Sequence, residues 1–180
     1  MLYSFHWLLQ QSPAPKYLFF WGHTPKQKST VDKNCFGQWF PAAFTVAGDI
    51  YATAEHWMMA GKARLFGNDE GRARIIAAPH PAEAKKLGRE VTGFDPPGWD
   101  AQKYDLVVAG NYPKFSQHAE LQDYLLTTGD RVLVEASPVD AIWGIGLPAD
   151  HPDAMQPARW PSQNLLGFAL MAVRDQLRTA

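Results

Sequence analysis

From Thr53 to Phe66 the chain has apolar residues at helical spacing, with two opposite charges inside the apolar stripe. At about 100° per residue, Glu55, Met58, Met59, Lys62, Leu65 and Phe66 fall on one side of the helical wheel. That side has to pack against the rest of the chain, and inward faces normally exclude carboxylates and ammonium groups. Glu55 and Lys62, seven residues and two turns apart, either snorkel to the edge of the buried face or project into a cavity as functional groups. The structural reading is open to both. A carboxylate near a helix N-terminus stabilises the macrodipole by about 0.3–1 kcal/mol, and a lysine stem can cover apolar surface. Thr53 is placed to cap this helix and Gly67-Asn68 to end it.

The remaining segments supply what must surround it. Tyr17–Gly22 reads as a short aromatic strand opening into a loop, and 23–34 as an exposed loop or hairpin. Phe44–Tyr51 reads as a hairpin around Ala47-Gly48-Asp49. Helices are predicted over 69–78, over 82–89 behind Pro81, over 100–109 after a break at Pro96-Pro97-Gly98, and over 119–126. Arg131–Ala136 is the clearest strand, Ile142–Leu147 a second, and 164–177 a strong terminal helix. Short strands among many helices predict an α+β fold, a single helix-rich domain around a small sheet. Residues 17–180 form that domain, and 1–16 read as a loosely ordered leader without a signal-peptide pattern.

The 180 residues suffice for a core without metals or disulfides. A net charge of −1 gives no global signature for nucleic acid or membrane. The single cysteine, Cys35, excludes an intrachain disulfide and a multi-cysteine zinc site, and fits a cytoplasmic location. The histidines lack metal spacing, and no phosphate-cradling glycine motif or nucleophile elbow is present, so no metal and no cofactor is expected. Seven Trp, six Tyr and ten Phe are more aromatics than a plain core needs, which suggests stacking walls around a planar ligand. Asp140 either caps a turn or acts chemically, and Trp99 is either a loop anchor or a stacking wall.

The order of several segments is specific. Phe19-Phe20-Trp21-Gly22, Gln38-Trp39-Phe40, Glu55-His56-Trp57-Met58-Met59 with Lys62, Gly110-Asn111 with Lys114, Glu135-Ala136-Ser137-Pro138, Asp140 with Trp143-Gly144-Ile145-Gly146, and Asn164-Leu165-Leu166-Gly167 together resemble the NADAR or YbiA-like superfamily. The sequence departs from the usual pattern at Gly61, where a longer polar residue is common, and at Tyr112-Pro113. The resemblance implies an N-glycosidase, a hydrolase of the bond between a sugar and a base. One branch acts on phosphorylated ribosylaminopyrimidines of early riboflavin biosynthesis, 5-amino-6-ribosylaminouracil 5′-phosphate and its diaminopyrimidinone precursor. Other members remove ADP-ribose from guanine, including in nucleic acid. A reading of another class is a non-catalytic ADP-ribose-binding module. The expected partner is therefore a small ribosylated base phosphate or ADP-ribosylated nucleic acid, and no membrane.

Under that resemblance Glu55 is the first candidate to stabilise an oxocarbenium-like state, and Asp140 a second carboxylate for water or ribose hydroxyls. Lys62 either binds phosphate or protonates the leaving group as an ammonium, or attacks C1 of ring-opened ribose as an amine. Trp21, Trp99 and Trp143 are candidates to stack on the base, with Phe20 and Gly22 beside the first. Lys114, with Arg64 as a further cation, is a phosphate candidate. Gln38 is a candidate amide reader; Asn164 either reads base or ribose or caps the terminal helix.

Overall fold

The computed structural model describes residues 2–24 and 30–180. In chain order the elements are α1 (Phe5–Leu9), β1 (Tyr17–Phe20), a 3-10 turn (Lys33–Phe36), β2 (Phe44–Val46), β3 (Asp49–Tyr51), α2 (Ala54–Leu65), α3 (Asp69–Ile76), α4 (Pro81–Arg89), α5 (Pro96–Ser116), α6 (Ala119–Leu126), β4 (Val132–Glu135), a second 3-10 turn (Pro157–Arg159) and α7 (Leu165–Thr179). The fold is α+β, and the chain divides into two compact units. One joins the residues up to Gly37 to Ala119–Ala180; the other is Gln38–His118. Each unit holds one two-stranded sheet. None of the described helices is long and apolar enough to cross a membrane.

In the first unit β1 and β4 run parallel, with Tyr17 opposite Val132 and Phe20 opposite Glu135. Val132, Leu133 and Val134 are buried, as expected of a continuous β-branched and aliphatic run in a parallel pair. α7 lies directly against this strand at Gly167, where an added Cβ would come within 2.0 Å of the Leu133 carbonyl oxygen. The segment expected as a loose leader contains α1, capped by Ser4. Trp7 packs edge-on against Phe168, and the Tyr3 hydroxyl donates to Asp175 on α7. Five residues are too few for a helical period to be seen in sequence.

The expected strand at Ile142–Leu147 is not formed. That stretch is irregular, and its backbone bonds are isolated ones: Ile145 N–H to the Glu135 carbonyl, and the Trp143 and Gly144 carbonyls to the N–H groups of Leu166 and Asn164. The physical reason lies in Asn164. Its Oδ1 accepts from the Glu135 N–H at 3.0 Å and its Nδ2 donates to the Leu133 carbonyl at 2.9 Å. A side-chain amide thus takes the bonds on β4 that a neighbouring strand would have made.

In the second unit β2 and β3 form the expected hairpin, with Phe44 opposite Tyr51. Ala47 and Gly48 have φ of 51° and 88°, the left-handed pair that a two-residue turn matching strand twist requires. α2 is capped by the Thr53 hydroxyl and is buried nearly all round as far as Gly61, not along one stripe. Leu65, expected on the inward face, is exposed. The neighbouring helices explain this. Met59 fills the space over Gly88 of α4, Trp57 lies on Gly110 of α5 and donates from its indole to the Leu106 carbonyl, and Gly61 meets the Leu106 side chain.

α5 is longer than its sequence suggests at both ends. Pro96 and Pro97 occupy its first turn, where a missing N–H costs nothing, and Asp95 accepts from the Gly98 N–H as N-cap. The Pro-Pro-Gly motif therefore starts the helix and does not break the chain before it. At the other end the helix continues through Pro113 to Ser116.

His56 gives this unit a pH dependence. It is fully buried, with Nε2 3.1 Å from the Ala78 carbonyl and Nδ1 2.8 Å from the Thr53 hydroxyl. A carbonyl can only accept, so Nε2 carries the proton and Nδ1 of the neutral ring accepts from Thr53. Desolvation holds its pKa below the ordinary 6.5. Above that value both folded and unfolded chains are neutral here, and below it the unfolded chain takes up a proton that the folded chain resists. Stability should therefore fall as pH drops through 6.5 towards the lower folded pKa. His56→Gln should flatten that slope, as measured by urea unfolding between pH 7.5 and 5.

Candidate active site

Six of the sequence-predicted site residues belong to the second unit. Glu55 lies in the first turn of α2 and is 2 % exposed, with its backbone N–H bonded to the Gln38 carbonyl at 3.0 Å. The macrodipole can stabilise a carboxylate at such a position without burying it, so helix stability alone does not account for the burial. The Gln38 amide is exchanged with that of Asn111, at 3.2 and 3.3 Å in the two directions, which commits it to α5.

Lys62 lies two turns along the helix, about 10 Å by helical rise. Its ammonium donates to the Gly88 carbonyl at 2.8 Å and stands 4.0 Å from the centre of the Phe94 ring and 5.9 Å from that of Trp99. The structure thus brings Trp99 together with Lys62, as one wall of an aromatic corner that Phe66 supports edge-on behind Phe94. Burial pushes the Lys62 ammonium below the ordinary lysine pKa. Lys114 is fully buried on α5, 5.8 Å from the Phe40 ring and 5.2 Å from that of Phe115. Arg64 is at the surface over Trp57 and lines a cavity of about 240 Å³ with Gly61, Gln102, Asp105 and Leu106.

The other six belong to the first unit. Phe20 is a core residue, edge-on to Phe36 at the end of β1. Trp21 follows it and is 53 % exposed. Gly22 has φ of 97°, and its carbonyl comes so close to Gly37 that a Cβ there would lie 2.4 Å from it. Asp140 closes an Asx turn, with Oδ1 accepting from the N–H groups of Ile142 and Trp143 at 2.9 and 2.7 Å. That bond ties Asp140 to half-buried Trp143, whose carbonyl is bonded in turn to the N-terminus of α7. Asn164 is at the N-cap position of α7 with φ of 55°, but its side chain bonds β4 and does not cap the helix.

Three contributors were given no role by sequence: Phe94 and Gly88, which hold the Lys62 ammonium, and Asn111, which stands in the Gly110-Asn111 motif and holds Gln38. The only local hint for Phe94 was an aromatic beside Gly93 in a polar stretch. Chemically, the second unit offers a buried carboxylate and a desolvated amine on one helix; the first offers a carboxylate held in a turn with Ile142 and Trp143. No cluster of potential metal ligands occurs among the described residues.

Comparison with known proteins gives the family. Residues 19–178 match the model of the NADAR domain. An N-glycosidase of Acanthamoeba polyphaga mimivirus is 42% identical over 89% of this chain and 96% of its own length. The N-glycosidase YbiA of Escherichia coli K12 is 32% identical over 73% of this chain and 74% of its own. The NMR structure of E. coli YbiA matches with a TM-score of 0.68 at 27% identity, covering 91% of this chain and 87% of that one. The chain belongs to the NADAR domain family, and it is an N-glycosidase, a hydrolase acting on N-glycosyl compounds.

Proposed function

We propose that the protein hydrolyses the C–N bond between ribose phosphate and an aminopyrimidine in early riboflavin intermediates, 5-amino-6-ribosylaminouracil 5′-phosphate and its diaminopyrimidinone precursor. The observation that carries the reading is Glu55, a carboxylate 2 % exposed on a helix of an N-glycosidase. Breaking an N-glycosidic bond develops positive charge at the anomeric carbon, shared with the ring oxygen in direct cleavage or with the imine nitrogen once the ring has opened, and a carboxylate in a low-dielectric surrounding stabilises that charge far more than one in water. Asp140 has the role of a second carboxylate, for ribose hydroxyls or the attacking water.

Lys62 is proposed as an amine nucleophile. When the glycosylamine opens to its imine, Nζ adds to C1, the base leaves with its amino nitrogen protonated, and water then hydrolyses the lysine imine to return sugar phosphate and free amine. Desolvation of Lys62 supports this role by favouring the neutral amine. The contact with Phe94 at 4.0 Å supports the second role, an ammonium that meets the phosphate. The near-neutral net charge of −1 supports a small substrate over a polynucleotide. A cytoplasmic site of action is proposed with it, consistent with a sequence that holds a single, buried cysteine, Cys35.

One experiment tests substrate and nucleophile together. Purified protein is incubated separately with the ribosylaminopyrimidine phosphate and with ADP-ribosylguanine, with and without borohydride, and base release and protein mass are followed. Base release from the first substrate and a reduced sugar adduct at Lys62 are expected. Turnover of ADP-ribosylguanine alone would replace the substrate assignment, and turnover without any adduct would return Lys62 to phosphate binding. Binding without release from either substrate would point to a reader module.

A further inference from the structure

We propose that Val139 and Ile142, together with Trp21, form the apolar platform that receives the base of the ribosylated substrate and sets its selectivity. Phe20 and Glu135 are opposite one another at the ends of β1 and β4, and the Ala136 N–H continues the pairing to the Phe20 carbonyl at 2.9 Å. Trp21 and the loop from Ser137 to Gly144 therefore leave the same carboxyl edge, the edge at which parallel sheets place their ligands.

The loop is closed on itself. Ser137 Oγ accepts from the Asp140 N–H at 3.2 Å, Asp140 Oδ1 accepts from Ile142 and Trp143, and Ile145 N–H returns to the Glu135 carbonyl at 2.9 Å. Gly144 fits only because it lacks a Cβ, which would lie 2.8 Å from that carbonyl. The Ser137 hydroxyl and one oxygen of Asp140 are thus engaged within the loop, while its aliphatic side chains are at the surface: Val139 is 85 % exposed and Ile142 47 %, and Trp21, which leaves the same edge, is exposed as well. A loop that turns its hydrogen bonds in and its apolar groups out inverts the usual pattern and has the character of a contact surface.

The occupant follows from Asp140, which lies between the two aliphatic residues in sequence. If Asp140 holds ribose, as the proposed function has it, its neighbours reach the group attached to C1, a flat heterocycle suited to an indole and two branched side chains. The inference rests on that reading, and the test separates the two.

Wild type, the double variant Val139→Ser/Ile142→Ser and Asp140→Asn are compared in steady-state release of base from the ribosylaminopyrimidine phosphate, alongside sedimentation at the assay concentration. Both serine positions are solvent-facing, so thermal stability should hold. The double variant should raise KM about tenfold, the size of effect expected for lost apolar contacts in a pocket, with a much smaller change in kcat. Asp140→Asn should lower kcat. A double variant with unchanged KM beside an impaired Asp140→Asn would overturn the platform alone. A fully active Asp140→Asn would overturn the reading beneath it. Unchanged KM with loss of a dimer would reassign the patch to self-association.

Discussion

Glu55→Gln is expected to lower kcat/KM for base release by about 10²–10⁴-fold while leaving the fold intact. Glutamine keeps the shape and one carbonyl oxygen but removes the charge, so what is lost is the interaction that exists only when C1 becomes cationic. Because that interaction is absent from the ground state, kcat should fall more than KM rises. The structural consequences are small. The backbone N–H of residue 55 still meets the Gln38 carbonyl, and the macrodipole loses about 0.3–1 kcal/mol at this first-turn position. Against that, a neutral amide is cheaper to bury than a carboxylate in a place 2 % exposed. The variant should therefore unfold within a few degrees of wild type, and steady-state kinetics beside calorimetry checks both halves. Wild-type turnover in Glu55→Gln would refute the role; an unfolded variant would mean the residue acts in folding.

Much of the architecture can be read locally. The Thr53 cap, the Ala47-Gly48 turn and the aliphatic run of β4 each depend on residues within a few positions, and each forms as its chemistry predicts. What was not legible depends on partners distant in sequence. The inward stripe of α2 loses meaning once α3, α4 and α5 enclose the helix, so the charge at Glu55 is anomalous through complete burial and not through its face. Lys62 could be singled out by its wheel position, but Phe94 and the Gly88 carbonyl come from segments whose approach no period encodes. Prolines misled in the other direction. A Pro-Pro-Gly run has the same local appearance whether it ends a loop or opens a helix, and the Asp95 cap decides for the helix.

Asn164 is the residue whose physical role was least visible, and its replacement should cost the most stability. Asn164→Ala removes two hydrogen bonds and leaves the Glu135 N–H and Leu133 carbonyl, both on β4, without the amide that covers them. Each buried group so orphaned costs about 1–3 kcal/mol, and alanine at φ of 55° adds about 1 kcal/mol of backbone strain that asparagine tolerates better. The expected loss is about 3–7 kcal/mol, a large part of the ~5–15 kcal/mol that holds a domain folded. Water cannot easily replace the amide, because α7 lies over the same carbonyl at Gly167, within 2.0 Å of where a Cβ would be. Two further variants separate the causes. Asn164→Gly relieves the backbone but not the hydrogen bonds, and should recover only about 1 kcal/mol relative to alanine. Asn164→Asp keeps the acceptor for Glu135 but sets a second oxygen against the Leu133 carbonyl, and should be no better than alanine near neutral pH. Urea unfolding midpoints at constant slope measure all three. A glycine variant as stable as wild type would mean that backbone conformation, and not the strand-like amide, is what this position supplies.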